Sequence, residues 1–262
     1  CISDIYEQDS LLWISTIGMG IFKTSLAWVN GKPVLTVIKQ FTIKNEDELA
    51  NCFQDIYPEN DSILWCMNEG EGVFKLNMLT SEMENIRLGG YTTNETNVIH
   101  KDCHGDYLIG TNSGLVKYGY NEHKVFNEVE GFLTNSVYGI LFDSNSDYWL
   151  STNRGLISYN TDTESIRVYD HHDGLSVLEF NEGSSFKDEK NGVLFFGGVN
   201  GFVTIKRNYF DEGQHYMPLI YFKTITIRDQ QYPVEKFLSQ KGDETFLNLS
   251  YEQNFFTLSF AA

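Results

Sequence analysis

Basic residues are scarce in this chain: 19 Lys and Arg stand against 36 Asp and Glu in 262 residues, a net charge of −17. An acidic surface repels phosphate backbones and anionic headgroups, so nucleic-acid and membrane-surface binding are not expected. Proline is rarer still at four residues, and with 22 glycines the glycine is turn punctuation rather than low complexity. Cysteine also numbers four, at Cys1, Cys52, Cys66 and Cys103, with no C-x-x-C pair among them. That spacing argues against a disulfide framework and leaves room for a single bridge. Cys52 and Cys66 fall on neighbouring predicted strands and are the pair to check; such residues are more often buried small hydrophobes. No apolar run approaches the roughly 20 residues a membrane helix needs. A basic-then-apolar leader is also missing at the N-terminus. The chain opens directly in a strand-like segment, which reads as an excised piece of a longer protein.

What is present is a repeat. Segments starting at Trp13, Trp65, Leu108, Trp149 and Phe195 read WISTIGMG, WCMNEGEG, LIGTNSG, WLSTNRG and FFGGVNG, each followed by two apolar residues. Their closing glycines, Gly20, Gly72, Gly114, Gly155 and Gly201, are separated by 52, 42, 41 and 46 residues. Short β-rich units at that period are the signature of propeller blades. The fold class read from this pattern is all-β: five blades, the C-terminal part of a seven-bladed ring, followed by a truncated β-sandwich.

Each repeat follows one grammar: a first strand, a polar turn, a second strand with the Trp, Leu or Phe, and a third strand after the glycine. The glycine supplies a positive-φ or close-approach position. The blades are placed at about 1–45, 46–92, 93–130, 131–175 and 176–210. Trp13, Trp65, Leu108, Trp149 and Phe195 are expected to be buried between neighbouring sheets. In the first repeat Asn30-Gly31, a strong hairpin signal, joins two long strands and explains the widest interval. Glu46–Asn51 offers a single helical turn at most, and the fourth repeat's outer strand is read at Ile166–Tyr169. After Ile205 the fifth repeat lacks a local fourth strand. An open edge there is expected to be closed by a strand from elsewhere in the parent, and otherwise to drive association. Residues 211–262 form a separate unit, with a strand at Pro218–Ile227 and an alternating segment after Phe246 that breaks near Gln253 and Asn254. The polar stretch Arg207–Pro218, which carries Gly213, is read as a linker and hinge.

Three stretches then become familiar. They are NSVYGI from Asn135 with WLSTNRGLISY from Trp149, DGL from Asp173 with EFNEGSSFK from Glu179, and FFGGVNGF from Phe195. Together they resemble the two-component regulator propeller repeat. The tail from Leu247, LNLSYEQNFFTLSFAA, resembles the opening of the Y_Y_Y domain. Met67 and Asn68 depart from the family's small-residue-plus-Thr pair, and five blades stand where seven are usual. The resemblance implies the periplasmic sensor region of an inner-membrane hybrid two-component histidine kinase. It implies a small oligosaccharide, a glycan breakdown product, as ligand, and signalling as a receptor homodimer with the rest of the parent chain. The segment itself is then not an enzyme; a propeller lyase or glycosidase, and a structural spacer, are the alternatives.

The residues capable of chemistry have plainer explanations. His100, Cys103 and His104 invite a zinc reading, but repeat alignment sets His104 on Asn145 of the next turn and His100 on Leu141 of a strand. His171 and His172 sit in an exposed loop. Asp4, Asp55, Asp102 and Asp143 recur once per repeat and are read as turn caps. No G-x-S-x-G, phosphate loop or Cys–His signature is present, so no catalytic residue, metal or cofactor is expected. Binding positions are sought in loops that lead into first strands (Asn135, Ser136, Tyr138, Asn181, Glu182) and in turns joining second to third strands (Arg154, Asn200).

Overall fold

The computed structural model describes residues 1–43, 48–88, 95–119, 123–132, 134, 136–143, 147–206, 221–228, 230–241 and 244–261. Its two compact units are Cys1–Arg207 and Asn208–Ala262. The first consists of five antiparallel sheets in chain order. Sheet one is β1 (Ile2–Gln8), β2 (Leu11–Thr16), β3 (Gly20–Val29) and β4 (Lys32–Phe41). Sheet two is β5 (Phe53–Asn60), β6 (Ile63–Asn68), β7 (Gly72–Asn77) and β8 (Met83–Ile86). Sheet three is β9 (Thr96–Lys101), β10 (Tyr107–Thr111), β11 (Gly114–Tyr118) and β12 (His123–Phe126). Sheet four is β13 (Val137–Phe142), β14 (Asp147–Thr152), β15 (Gly155–Asn160) and β16 (Ile166–Tyr169). Sheet five has three strands, β17 (Phe180–Asp188), β18 (Val193–Gly198) and β19 (Gly201–Lys206).

Every third strand starts on a closing glycine. At Gly20, Gly114 and Gly155 a β-carbon would come within 2.1 to 2.3 Å of the carbonyl oxygen of Phe41, Phe126 or Tyr169, the last residue of the adjoining fourth strand. All three also have positive φ, so glycine is required twice over there. Asn30 (φ 53°) and Gly31 (φ 74°) make the left-handed two-residue turn between β3 and β4. The acid-free hairpin they close leaves Trp28, Val29, Leu35 and Ile38 exposed.

Neighbouring sheets pack through apolar side chains. Trp13 lies with Phe53, Ile56 and Leu64 of sheet two, Trp65 with Ile99 and Ile109 of sheet three, and Leu108 with Ile140 and Leu150 of sheet four. Trp149 is buried as well. Phe195 is not, contrary to its repeat position: it is half-buried, while Leu194 and Phe196 on either side are buried. Its ring lies tilted against those of Phe186 and Phe202, which are both 65% exposed. The reason is positional. Trp13, Trp65 and Leu108 at the matching positions are covered by the following sheet, and among the described residues of the first unit no sheet follows the fifth.

Cys52 and Cys66 are both buried thiols without a disulfide. Burial pushes the Cys66 thiol up, reinforced by the Asp55 charge, which keeps it unreactive. A single 3-10 turn occupies Glu48–Asn51. In the second unit, β20 (Tyr221–Ile227), β21 (Gln230–Pro233) and β24 (Phe256–Ala261) form one sheet, while β22 (Leu238–Lys241) and β23 (Glu244–Leu247) form another. A 3-10 turn at Tyr251–Gln253 interrupts the alternating tail near the expected break. The linker Arg207–Pro218, with Gly213, lies outside the described residues.

Candidate functional site

The first strand of each sheet carries a β-bulge at one position. Register shifts fall between Ile2 and Asp4, Phe53 and Asp55, Val137 and Gly139, and at the equivalent step of β9. The extra residues are Ser3, Gln54, Asn97 and Tyr138. In sheet five the shift is wider, from Phe180 to Ser185. A bulge re-aims side chains out of the sheet's alternation. Here the bulged residues, with Asp4, Asp55, Val98, Gly183 and Ser185, line one depression of about 390 Å³, which includes space open to solvent. Its wall comprises Ser3, Asp4, Gln54, Asp55, Asn97, Val98, Tyr138, Gly183 and Ser185, so all five first strands contribute.

Hydrogen bonds across the bulges tie the first four sheets in series. The Ser3 hydroxyl donates to the Phe53 carbonyl, and Asp4 Oδ2 accepts from Ile56 N at 3.3 Å. Asp55 Oδ2 accepts from Ile99 N at 2.9 Å, and Asn97 Nδ2 donates to the Val137 carbonyl at 3.0 Å. The reading of four equivalent turn-capping aspartates is therefore corrected. Asp102 and Asp143 directly follow β9 and β13, and Asp102 caps its turn by accepting from His104 N and Asp106 N. Asp4 and Asp55 are instead the third residues of β1 and β5, and face the depression.

Burial, then the Asp4 charge and a hydrogen bond between the two carboxyls, hold Asp55 well above the usual carboxylate range. The backbone N–H groups of Ile99 and Ile56 oppose this with smaller effect. Because the folded-state pKa exceeds the unfolded one, folding takes up a proton between those two values. The group's penalty is therefore complete above the raised pKa and fades as pH falls toward the ordinary one. Asp55→Asn keeps an acceptor for Ile99 N and a donor toward Asp4. It is expected to exceed the parent in stability by more than about 1 kcal/mol at alkaline pH, with the gap closing on acidification. Denaturant midpoints measured across pH check this; a gap that widens in acid would contradict the raised Asp55 carboxyl.

Carboxylates also edge the depression. Gln54 Nε2 donates to Glu69 Oε2 at 3.2 Å and to Glu182 Oε2 at 3.3 Å, and Asn112 Nδ2 donates to Glu95 Oε2 at 3.0 Å. Partial burial, then the charges of Glu69 and Glu95, raise the Glu182 carboxyl above its usual range. The cavity therefore offers hydroxyl and amide groups beside the Asp4 and Asp55 carboxyls, within a negative margin.

Of the residues singled out in the sequence, Tyr138 lines the depression and Glu182 reaches its margin. Ser136 is half-buried beside it in sequence, whereas Arg154, Asn181 and Asn200 are exposed and lie outside the lining. Asn135 lies outside the described residues. Ser3, Gln54, Asn97 and Ser185 were missed. Their signal was the residue pair before the apolar position of each first strand, as in SDIY, QDIY, NVIH and YGIL. His100 is turned into the space among Tyr57, Phe142 and Tyr148, and burial lowers its pKa below the usual imidazole range. Among the described residues no helix is long and apolar enough to cross a membrane.

No family model matches the sequence, and neither does any curated protein. Solved structures do. The chain is similar to the extracellular domain of the hybrid two-component system BT3049 from B. thetaiotaomicron, with 24% identity over 99% of this chain and a TM-score of 0.71. The corresponding domain of BT4673 from the same organism gives 19% identity over 99% of the chain and a TM-score of 0.60. The chain spans 35% and 34% of those two structures. The WD40 β-propeller domain of Doa1 matches 76% of this chain and 61% of its own length, at 14% identity and a TM-score of 0.51. At these identities the likeness is one of fold.

Proposed function

We propose that this chain is the extracytoplasmic ligand-sensing part of a two-component sensor histidine kinase, and that an uncharged glycan breakdown product occupies its central depression. The observation that carries this reading is the repeated bulge. It converges Ser3, Gln54, Asn97, Tyr138 and Ser185 from five strands on one polar pocket. Hydroxyl and amide groups around an aromatic ring suit sugar hydroxyls, and the likeness in fold to extracellular domains of hybrid two-component systems supports the setting. Glu69, Glu95 and Glu182 at the margin disfavour uronates and sulfated sugars. In this reading the first unit is five blades of a larger ring and the second begins a Y_Y_Y-type sandwich. The parent is held in the inner membrane as a homodimer.

The Asp4–Asp55 pair would otherwise invite a glycosidase or lyase. Its carboxyls, however, lie close enough for Asp4 to raise Asp55, and each accepts from a neighbouring strand's backbone. Hydrolysis needs carboxyls about 5 Å or more apart with the bond between them. Calorimetric titration of the intact sensor region against neutral and uronate oligosaccharides tests the proposal. Neutral sugars are expected to bind, and Tyr138→Ala or Gln54→Ala to weaken them about tenfold, or 1.4 kcal/mol. Binding untouched by both variants would place the ligand elsewhere, and no binding across the panel would favour a spacer.

A further inference from the structure

We propose that the turns at the opposite end of sheets three and four form a zinc-type divalent metal site, with Cys103, His104 and Asp162 as ligands. Cys103 and His104 belong to the β9–β10 turn and Asp162 to the β15–β16 turn, 58 residues beyond His104. The Cys103 sulfur, a His104 ring nitrogen and an Asp162 carboxylate oxygen all lie within 4.8 Å of one another. His104 Nε2 and Asp162 Oδ1 are 2.7 Å apart, and Cys103 Sγ is 3.8 Å from Thr161 Oγ1. Zinc holds nitrogen and oxygen ligands at about 2.0–2.2 Å and thiolate at about 2.3 Å. Small side-chain rotations bring these three atoms onto one ion.

The donor set decides the metal class. Thiolate with imidazole and carboxylate suits zinc or another late first-row cation, not calcium or magnesium, which require oxygen. Three protein ligands leave the fourth tetrahedral position to water. Binding would release the thiol proton to solvent, so affinity rises with pH. Both turns are organised independently of the proposed ligand atoms. Asp102 Oδ1 accepts from His104 N at 2.9 Å and Asp106 N at 2.8 Å, while Asn160 Oδ1 accepts from Asp162 N at 3.1 Å and Thr163 N at 2.9 Å. The ion would then staple sheet three to sheet four at the end of the ring away from the polar depression. A second group, Asp170, His171 and His172, is poorer. Its members are consecutive, and Asp170 is engaged in a helix cap through His172 N at 2.7 Å.

Titration of the metal-stripped 262-residue chain with cobalt(II), followed by zinc, tests the site. One cobalt per chain is expected, with a thiolate-to-cobalt charge-transfer band that zinc abolishes. Cys103→Ser should remove the band, and Cys103→Ser, His104→Ala and Asp162→Asn should each weaken zinc by at least about tenfold. His171→Ala/His172→Ala should change neither. Since the altered side chains are exposed, the metal-free variants should melt with the parent, which separates loss of a ligand from loss of fold. The proposal is overturned if the parent shows no band, if the band survives Cys103→Ser, or if only the His171/His172 variant loses zinc.

Discussion

Trp65→Ala is expected to cost about 3–5 kcal/mol of folding stability, a large share of the roughly 5–15 kcal/mol that holds a domain together. Trp65 is 0% exposed and fills the interface between sheets two and three, with its ring 4.6 Å from that of Tyr107 and 6.1 Å from that of Tyr118. Its edges are used as well: the indole N–H donates to Glu59 Oε2 at 3.1 Å, and Lys75 Nζ lies 4.2 Å from the ring centroid. Alanine would remove the apolar surface and leave the Lys75–Glu59 pair without its platform. Urea unfolding read by far-UV circular dichroism gives the difference. Trp28→Ala on the exposed hairpin, where the residue is 69% exposed, is the internal comparison and should stay within about 0.5 kcal/mol of the parent. Equal losses for the two tryptophans would refute the assignment of Trp65 to an inter-sheet core.

Gly114→Ala carries the second large effect. Its φ is 126°, and an added methyl group would stand 2.2 Å from the Phe126 carbonyl oxygen. The backbone strain costs about 1–3 kcal/mol, and moving β12 away from β11 adds about 1–3 kcal/mol more. Gly72 occupies the same repeat position with φ 85° but has no atom within 4 Å of its would-be β-carbon. Gly72→Ala should therefore suffer only the backbone cost. A difference of about 2 kcal/mol between the variants is expected; parity would mean that the outer strand yields freely.

These two residues also show what could be read without coordinates. The closing glycine and the bulky residue that opens its segment are local signals, since both belong to one hairpin. They located the second and third strands of all five sheets, and the Asn-Gly pair, equally local, located the turn at Asn30 and Gly31. Phe195 failed because burial there depends on a following sheet, which no hairpin encodes. The depression was only partly legible for a similar reason. A bulge is a relation between two strands, so Ser3, Gln54 and Asn97 acquire their direction from register, not composition. Counting Asp4 and Asp55 with Asp102 and Asp143 hid the difference between a strand interior and a strand end. Asp162 could not be joined to Cys103 and His104 while the turns of successive sheets were considered separately.

The hooks at the bulges have a direction, although elsewhere Thr96 of sheet three and Tyr148 of sheet four reach back to the Asn68, Gly72 and Lys101 carbonyls. Ser3 and Asp4 reach forward to β5, Asp55 to β9 and Asn97 to β13; in each case the earlier sheet supplies the side chain and the later one the backbone group. Every hydrogen-bonded strand pair of residues 1–206, by contrast, stays inside its own sheet. A gene could therefore gain or lose one sheet as an in-frame block without breaking a single ladder. What such an event must preserve is the order of donors and acceptors at two junctions. Because backbone N–H and carbonyl groups are common to every sequence, a newly placed sheet would accept the hook before it, and selection would act chiefly on the side chains that it carries itself.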